Sequence, residues 1–193
     1  MTQKILASGS PRRRELMHYI WKEFDIETSD AEETVPIPKL SAPEDLPVFL
    51  SRLKAEDIAS RHPGALVVGA DTIVIAPDGE ILGKPKDQED ARSMLKKLSG
   101  CCHLVVTGVS MCQMNGTDKR FHSFREITKV YFFPLTEQEI DHYVESKEPM
   151  DKAGAYGIQG LGSLLVEKID GDFFNVVGLP VARLKRELDG FTV

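Results

Sequence analysis

Lys4-Ile-Leu-Ala-Ser-Gly-Ser-Pro-Arg-Arg-Arg-Glu-Leu-Met17 reads as a strand that runs through a small-residue turn into a helix. Ile5, Leu6 and Ala7 suit a short buried strand and Ser8-Gly9 a tight turn. Ser10 and Pro11 suit the N-cap and first position of a helix over about 11–20. Arg12-Arg13-Arg14 then puts three cations into the first helical turn, where the macrodipole disfavours each by about 0.3–1 kcal/mol. An anion over that helix end would reverse the sign, because backbone N–H groups, serine hydroxyls and forked guanidinium donors together make a phosphate receptor. The competing reading is a solvated basic turn. The loop has neither GxxxxGK[ST] nor a complete GxGxxG, so the rest of the chain must decide.

With 193 residues, 41% of them hydrophobic, the chain can bury a substantial core, and the expectation is a single domain over 1–193 with two lobes. A formal net charge of −6 argues against a general nucleic-acid binder and makes positive charge a local feature. Cys101, Cys102 and Cys112 are odd in number and lack CxxC spacing or a histidine partner at zinc-finger distance, as in a reducing compartment. No signal-peptide pattern and no run of about 18 apolar residues is present. A cytoplasmic protein with no nucleic-acid or membrane partner is expected.

Outward from the opening stretch, Phe24–Thr28 alternates as a second strand and leads into acidic Ser29–Thr34 and a connection holding Pro36, Pro38, Pro43 and Pro47. Phe49, Leu50, Leu53, Ile58 and Ala59 keep near-helical spacing over about 46–62, ended by His62-Pro-Gly64. Ala65–Ala76 is a nearly continuous apolar run, the pattern of a strand covered on both faces, interrupted by Asp71 and Thr72. Glu80–Pro85 reads as a short strand, 88–98 as a helix, and Cys102–Met114 with Arg120–Phe133 as a hairpin around Asn115-Gly116. Thr136 with Glu139 forms a capping box for a helix to about 146. Beyond a glycine-rich segment, 163–168 reads as a strand and 181–188 as the last helix. Strands alternating with helices, plus one long hairpin, indicate an α/β fold with a mixed sheet.

Asp71 carries the strongest chemical signal, since a carboxylate inside an apolar run costs several kcal/mol unless it meets a partner or a metal; the alternative is a strand-end Asp bonded to backbone. Glu32 and Glu33, if near Asp71, would complete a carboxylate pair for Mg²⁺, and otherwise form a solvated acidic turn. Lys84 is directed by flanking Gly83 and Pro85, and Lys54 lies in the 46–62 helix; a surface lysine is the plain reading of each. Gln159 has an amide that both donates and accepts, as a nucleobase edge requires, and Tyr156 either stacks on a base or packs. The five histidines lie without motif spacing, so covalent catalysis is not expected.

Taken together, Leu6–Arg13, Gly69-Ala-Asp-Thr72, Leu82-Gly-Lys-Pro85, Thr107-Gly-Val109, Ala153-Gly-Ala-Tyr-Gly-Ile-Gln159 and Gly171-Asp-Phe-Phe-Asn-Val-Val-Gly178 resemble the Maf family of nucleoside triphosphate pyrophosphatases over essentially the whole chain. The resemblance implies the fold of the inosine triphosphate pyrophosphatases: a long curved mixed sheet flanked by helices, two lobes and a central cleft, often in a homodimer. It implies hydrolysis of a nucleoside triphosphate to monophosphate and pyrophosphate with Mg²⁺ or Mn²⁺. Ser8, Ser10, Arg12 and Arg13 match the phosphate-binding residues, Asp71 the proton acceptor and Lys84 the lysine of the GKP block. Lys54 matches the lysine of an RLxxxKA-like helix, here tightened to Arg52-Leu-Lys-Ala55. Glu33 matches the glutamate of a DE pair whose first member is Glu32 here, and would share the metal with Asp71. Arg12, Thr72 and Gln159 match the positions that separate a dTTP/UTP branch from a methylated-GTP branch, and Thr with Gln resembles the former. The expected function is therefore a dTTP/UTP pyrophosphatase. The alternatives are a nucleotide-binding regulator of cell division without hydrolysis and a methylated-GTP pyrophosphatase.

Overall fold

β1 (Lys4–Ala7) is buried from Ile5 to Ala7 and pairs in parallel with two strands, β2 (Asp25–Ile26) on one side and β3 (Leu66–Ile75) on the other. The computed structural model describes residues 2–31 and 38–191. Its further strands are β4 (Ile81–Leu82), β5 (Cys102–Asn115), β6 (Asp118–Phe132) and β7 (Val166–Asp170). They form a seven-stranded mixed sheet in the order β2-β1-β3-β5-β6-β7, with β4 antiparallel to the end of β3. Among the described residues the α-helices are α1 (Pro11–Met17), α2 (Leu46–Arg61), α3 (Gln88–Leu98), α4 (Glu137–Glu145), α5 (Phe173–Val177) and α6 (Val181–Phe191). The expected α/β class with a mixed sheet flanked by helices is what the chain adopts. Among the described residues no helix is long and apolar enough to cross a membrane.

The chain divides into two compact units: 1–71, 107–126 and 178–193 form the first, and 72–106 with 127–177 the second. In the first unit, Ile5, Ala7, Ala55, Ile58, Ala59, Ala65, Val67 and Cys112 make one core cluster. Burial pushes the Cys112 thiol up to about 11, so it is an inert core group. α2 corrects the periodicity reading: its buried residues are Pro47, Ser51, Ala55, Ile58 and Ala59, while Phe49, Leu50 and Leu53 are only half-buried. Close approach, not side-chain bulk, selects that face. A Cβ on Gly69 would lie 2.4 Å from the Ser51 carbonyl oxygen, and one on Gly108 would lie 2.2 Å from the Pro47 carbonyl carbon. Only hydrogen at both positions lets the α2 backbone rest on β3 and β5. A chain of hydroxyls then pins it: Ser51 Oγ donates to Val48 O (2.9 Å) and lies 2.8 Å from Ser110 Oγ, which lies 2.6 Å from Ser123 Oγ.

The second unit packs α3 and α4 over the far ends of the long strands. Val74, Leu82, Leu95, Leu98, Val105, Val130, Phe132, Ile140 and Tyr143 share its core. The Thr136 capping box forms as expected, with Glu139 N donating to Thr136 Oγ1 at 3.2 Å and Thr136 N donating to Glu139 Oε2 at 2.8 Å. The block Gly171–Gly178 acts structurally where it lies in this unit. Asn175 Nδ2 donates to Val105 O (3.1 Å) and Thr128 Oγ1 (2.9 Å), and Thr128 Oγ1 exchanges bonds with both backbone groups of Asp172. The strand expected at 163–168 begins only at Val166, because Gly160–Leu165 winds as 3-10 turns. There the Glu148 carboxylate takes the Leu161 and Gly162 N–H groups and Ser163 Oγ donates to Gly160 O, which removes those groups from a strand ladder.

Tyr156 packs; it does not present a face for stacking on a base. It is 5% exposed, its hydroxyl lies 2.7 Å from His103 Nε2, and both rings meet Phe132 edge-on. Burial holds His103 neutral, with its pKa lowered from 6.5 to about 4. The unfolded chain thus binds a proton near pH 6.5 that the native chain refuses until about pH 4. His103 stabilises the fold fully above pH 6.5, and that contribution, on the order of 3 kcal/mol, disappears as pH falls through this window. Denaturant titrations at pH 7 and pH 4 are expected to show this loss in the wild type and a smaller one in His103→Leu/Tyr156→Phe, which removes both polar partners together. Equal losses in the two proteins would exclude His103 as the source.

Candidate active site

In the first unit, the register Ala7↔Gly69 between β1 and β3 sets the turn that follows β1 level with Ala70 and Asp71 on β3. Loops at the carboxyl ends of parallel strands are the usual ligand-binding edge of an α/β sheet. Ser8, 7% exposed, accepts from Ser10 N (3.3 Å) and from Arg13 Nη1 (3.2 Å). Ser10 is the N-cap of α1, accepting from Arg13 N at 3.4 Å, and Arg13 Nε donates to Gly178 O at 2.9 Å. The sequence places Ser8, Ser10 and Arg13 close together, and the fold joins them through hydrogen bonds and locks the guanidinium to the turn before α6. Arg12 is half-buried, whereas Arg14 is exposed. α1 ends at Met17 and not near residue 20, because Tyr19 and Ile20 close i→i+3 turns that swing Trp21 into the interior.

Asp71 lies within β3 and not at its end, and Lys54 Nζ donates to Asp71 Oδ1 at 2.7 Å with both side chains 16% exposed. That contact depends on the α2 seat described above, since Lys54 lies between Ser51, whose carbonyl presses on Gly69, and Ala55, whose nitrogen does the same. The ammonium gives the Asp71 carboxylate a hydrogen-bonded partner inside the apolar strand, which offsets the cost of placing it there. Neither glycine was singled out by its chemistry; the only trace in the sequence is their place inside the GADT and TGV blocks.

The second unit holds Thr72, Lys84 and Gln159. Lys84 and Gln159 are exposed, and their two segments are tied together where Gly154 N donates to Gly83 O at 3.0 Å. Within this segment Ala155 holds φ 58, a left-handed value that a non-glycine residue adopts only when its surroundings impose it. Glu32 and Glu33 lie outside the described residues. His62 Nε2 lies 2.7 Å from Glu27 Oε2 and His122 Nε2 3.0 Å from Glu187 Oε2, so these two imidazoles hydrogen-bond carboxylates in the first unit.

Comparison with known proteins shows the family. The profile of the family described as Maf-like protein matches residues 3–191. The chain belongs to the Maf-like family. A relative of this Maf-like chain from Carboxydothermus hydrogenoformans, named dTTP/UTP pyrophosphatase, is 52% identical over 183 residues, covering 95% of each chain. Another of the same name from Bacillus pumilus is 49% identical over 193 residues, covering 100% of this chain and 98% of the relative. Among solved structures, the Staphylococcus aureus Ham1 protein matches with a TM-score of 0.55 at 15% identity, covering 98% of this Maf-like chain and 99% of the other. At that identity the likeness speaks for the fold alone.

Proposed function

We infer that this chain is a nucleoside triphosphate pyrophosphatase acting on dTTP and UTP, releasing the monophosphate and pyrophosphate. The observation that carries the chemistry is the Asp71 carboxylate, held by Lys54 at 2.7 Å inside an otherwise apolar strand and level with the serine–arginine turn. The base preference rests on relatives of about half-identical sequence that bear that name.

In this reading Ser8, Ser10, Arg12 and Arg13 bind the triphosphate, and Lys54 and Lys84 neutralise it. Asp71 accepts the proton of the water that attacks phosphorus in the α–β anhydride, while the bridging oxygen leaves with pyrophosphate. Rate enhancement comes chiefly from positioning and charge stabilisation. Lys84, Thr72 and Gln159 enter on the family's motif blocks, with Gln159 and nearby backbone groups complementing the O2/N3/O4 edge of uracil or thymine. Cytosine reverses the pattern at N3 and N4.

The donor chemistry suits Mg²⁺ or Mn²⁺, since such hard cations use one or two carboxylates together with phosphate and water oxygens, and Asp71 supplies a carboxylate at the strand. Glu33 is the second ligand by resemblance. When bound, the cation supplies charge neutralisation on the phosphates as pyrophosphate departs.

With Mg²⁺ present, the protein is expected to convert dTTP and UTP to monophosphate and pyrophosphate. It should do so at least about tenfold faster, in kcat/KM, than CTP or methylated GTP at equal concentration, and EDTA should stop it. Release of orthophosphate, undiminished activity in EDTA, or tight binding without turnover would contradict the assignment.

A further inference from the structure

The glycine-rich segment that carries Gln159 is wrapped around one carboxylate. Glu148 Oε1 accepts from Tyr143 Oη (3.1 Å) and Gly162 N (3.2 Å), and Oε2 accepts from Leu161 N (3.0 Å). The Tyr143 hydroxyl, on a side chain only 2% exposed, also accepts from Gly157 N at 3.1 Å. The two residues that flank Gln159 at a distance of two or three positions, Gly157 and Gly162, are thus bonded to the same hydroxyl–carboxylate pair. Gly160, at φ 64, comes so close to this pair that a Cβ there would lie 2.7 Å from Glu148 Oε2. A Cβ on Gly162 would lie 2.6 Å from Tyr143 Oη, and one on Gly157 would lie 2.9 Å from Lys152 Cε. Glu148 is itself anchored, since its N–H donates to Ser146 Oγ at 3.2 Å and Lys152 Nζ donates to its carbonyl oxygen. Gln159 is left exposed on a turn whose backbone is fastened on both sides.

We propose that Glu148 and Tyr143 are positioning residues for base selection, setting the backbone on which Gln159 presents its amide; this rests on the assignment of Gln159 to the nucleobase. An amide reads a base edge only if its oxygen and nitrogen stand in the right order at hydrogen-bond distance, and Gly157, Gly160 and Gly162 around the exposed Gln159 bring no side chains to hold it there. The Glu148 carboxylate supplies that constraint through three accepted bonds. Sequence patterning gives no sign of this role, because Glu148 precedes a proline outside any helical or strand period.

The test uses the full chain and measures kcat and KM for dTTP, UTP and CTP in Glu148→Ala, Gln159→Ala, the double variant and Tyr143→Phe. Both alanine variants are expected to lower the UTP:CTP ratio of kcat/KM about tenfold, mainly through KM, with kcat kept within about threefold. The double variant should be no less selective than Gln159→Ala alone, because the two act through one group. Glu148→Gln keeps one acceptor oxygen and should recover part of the ratio. A uniform fall in kcat on all three substrates with the ratio intact, or multiplicative effects in the double variant, would overturn the proposal and reduce Glu148 to a structural residue. An unchanged ratio in Gln159→Ala would overturn it for a different reason, by removing Gln159 from base reading. Wild-type turnover of dTTP reports on the activity separately from both. Should Glu148→Ala fail to fold, Tyr143→Phe, which keeps the packed ring, carries the same comparison.

Discussion

Asp71→Asn is expected to lower kcat for dTTP on the order of 10³-fold, while KM changes little and the fold persists. The substitution preserves shape, and its amide oxygen can still accept from the Lys54 ammonium that bonds Oδ1 at 2.7 Å in the wild type. What is lost is the negative charge and the capacity to take a proton from water. Because an acceptor remains for Lys54, the stability change should stay within about 1–2 kcal/mol. Pyrophosphate release measured alongside thermal unfolding separates the two effects. Near wild-type turnover would remove Asp71 from the reaction, and a collapse in stability equal to the loss in rate would make it a structural ion pair.

Gly69→Ala is expected to damage both stability and rate although glycine brings no functional group. The added methyl would lie 2.4 Å from the Ser51 carbonyl oxygen and 3.0 Å from the Ala55 nitrogen, both backbone atoms of α2. The helix must move off β3, at a cost of about 1–3 kcal/mol, or roughly 2–12 °C in Tm for a chain of this size. Lys54 moves with it. Displacing a group that holds the proposed general base by about 1 Å is expected to cost about 10²-fold in rate, so kcat/KM should fall by that order even below the new Tm. Gly190→Ala is the control, since a Cβ there meets nothing within 4 Å and the residue lies in α6. It should be neutral or stabilise by up to about 1 kcal/mol. If the two substitutions behave alike, the close seat of α2 does not position Lys54.

Much of the candidate site's geometry was legible because its residues are either adjacent or conspicuous. Ser8, Ser10 and Arg13 are local partners of one strand–turn–helix, so cap chemistry and charge placed them. Asp71 was visible as a lone carboxylate in an apolar run. Periodicity failed on α2, because apolar spacing ranks side chains by bulk. The strand instead selected the small face of Ser51 and Ala55 through the missing Cβ of Gly69. It failed again at 163–165, which reads as the start of a strand, but the chain there still winds in the 3-10 turns of Gly160–Leu165, whose first N–H groups the Glu148 carboxylate binds. Tyr156 could not be decided from sequence because stacking and packing ask for the same ring; its burial against His103 and Phe132 decided for packing.

By itself the sequence determined the α/β class, the order of most elements and the chemical inventory, because hydrophobic period, capping residues and turn glycines act within a few residues. Only the tertiary structure decided that Lys54 is the partner of Asp71, that Arg13 is tied to Gly178, and that Glu148 and Tyr143 hold the turn bearing Gln159. Those pairings join residues separated by up to 165 positions. They follow from which backbones can approach closely enough to touch, a property of surfaces in contact that no local pattern carries.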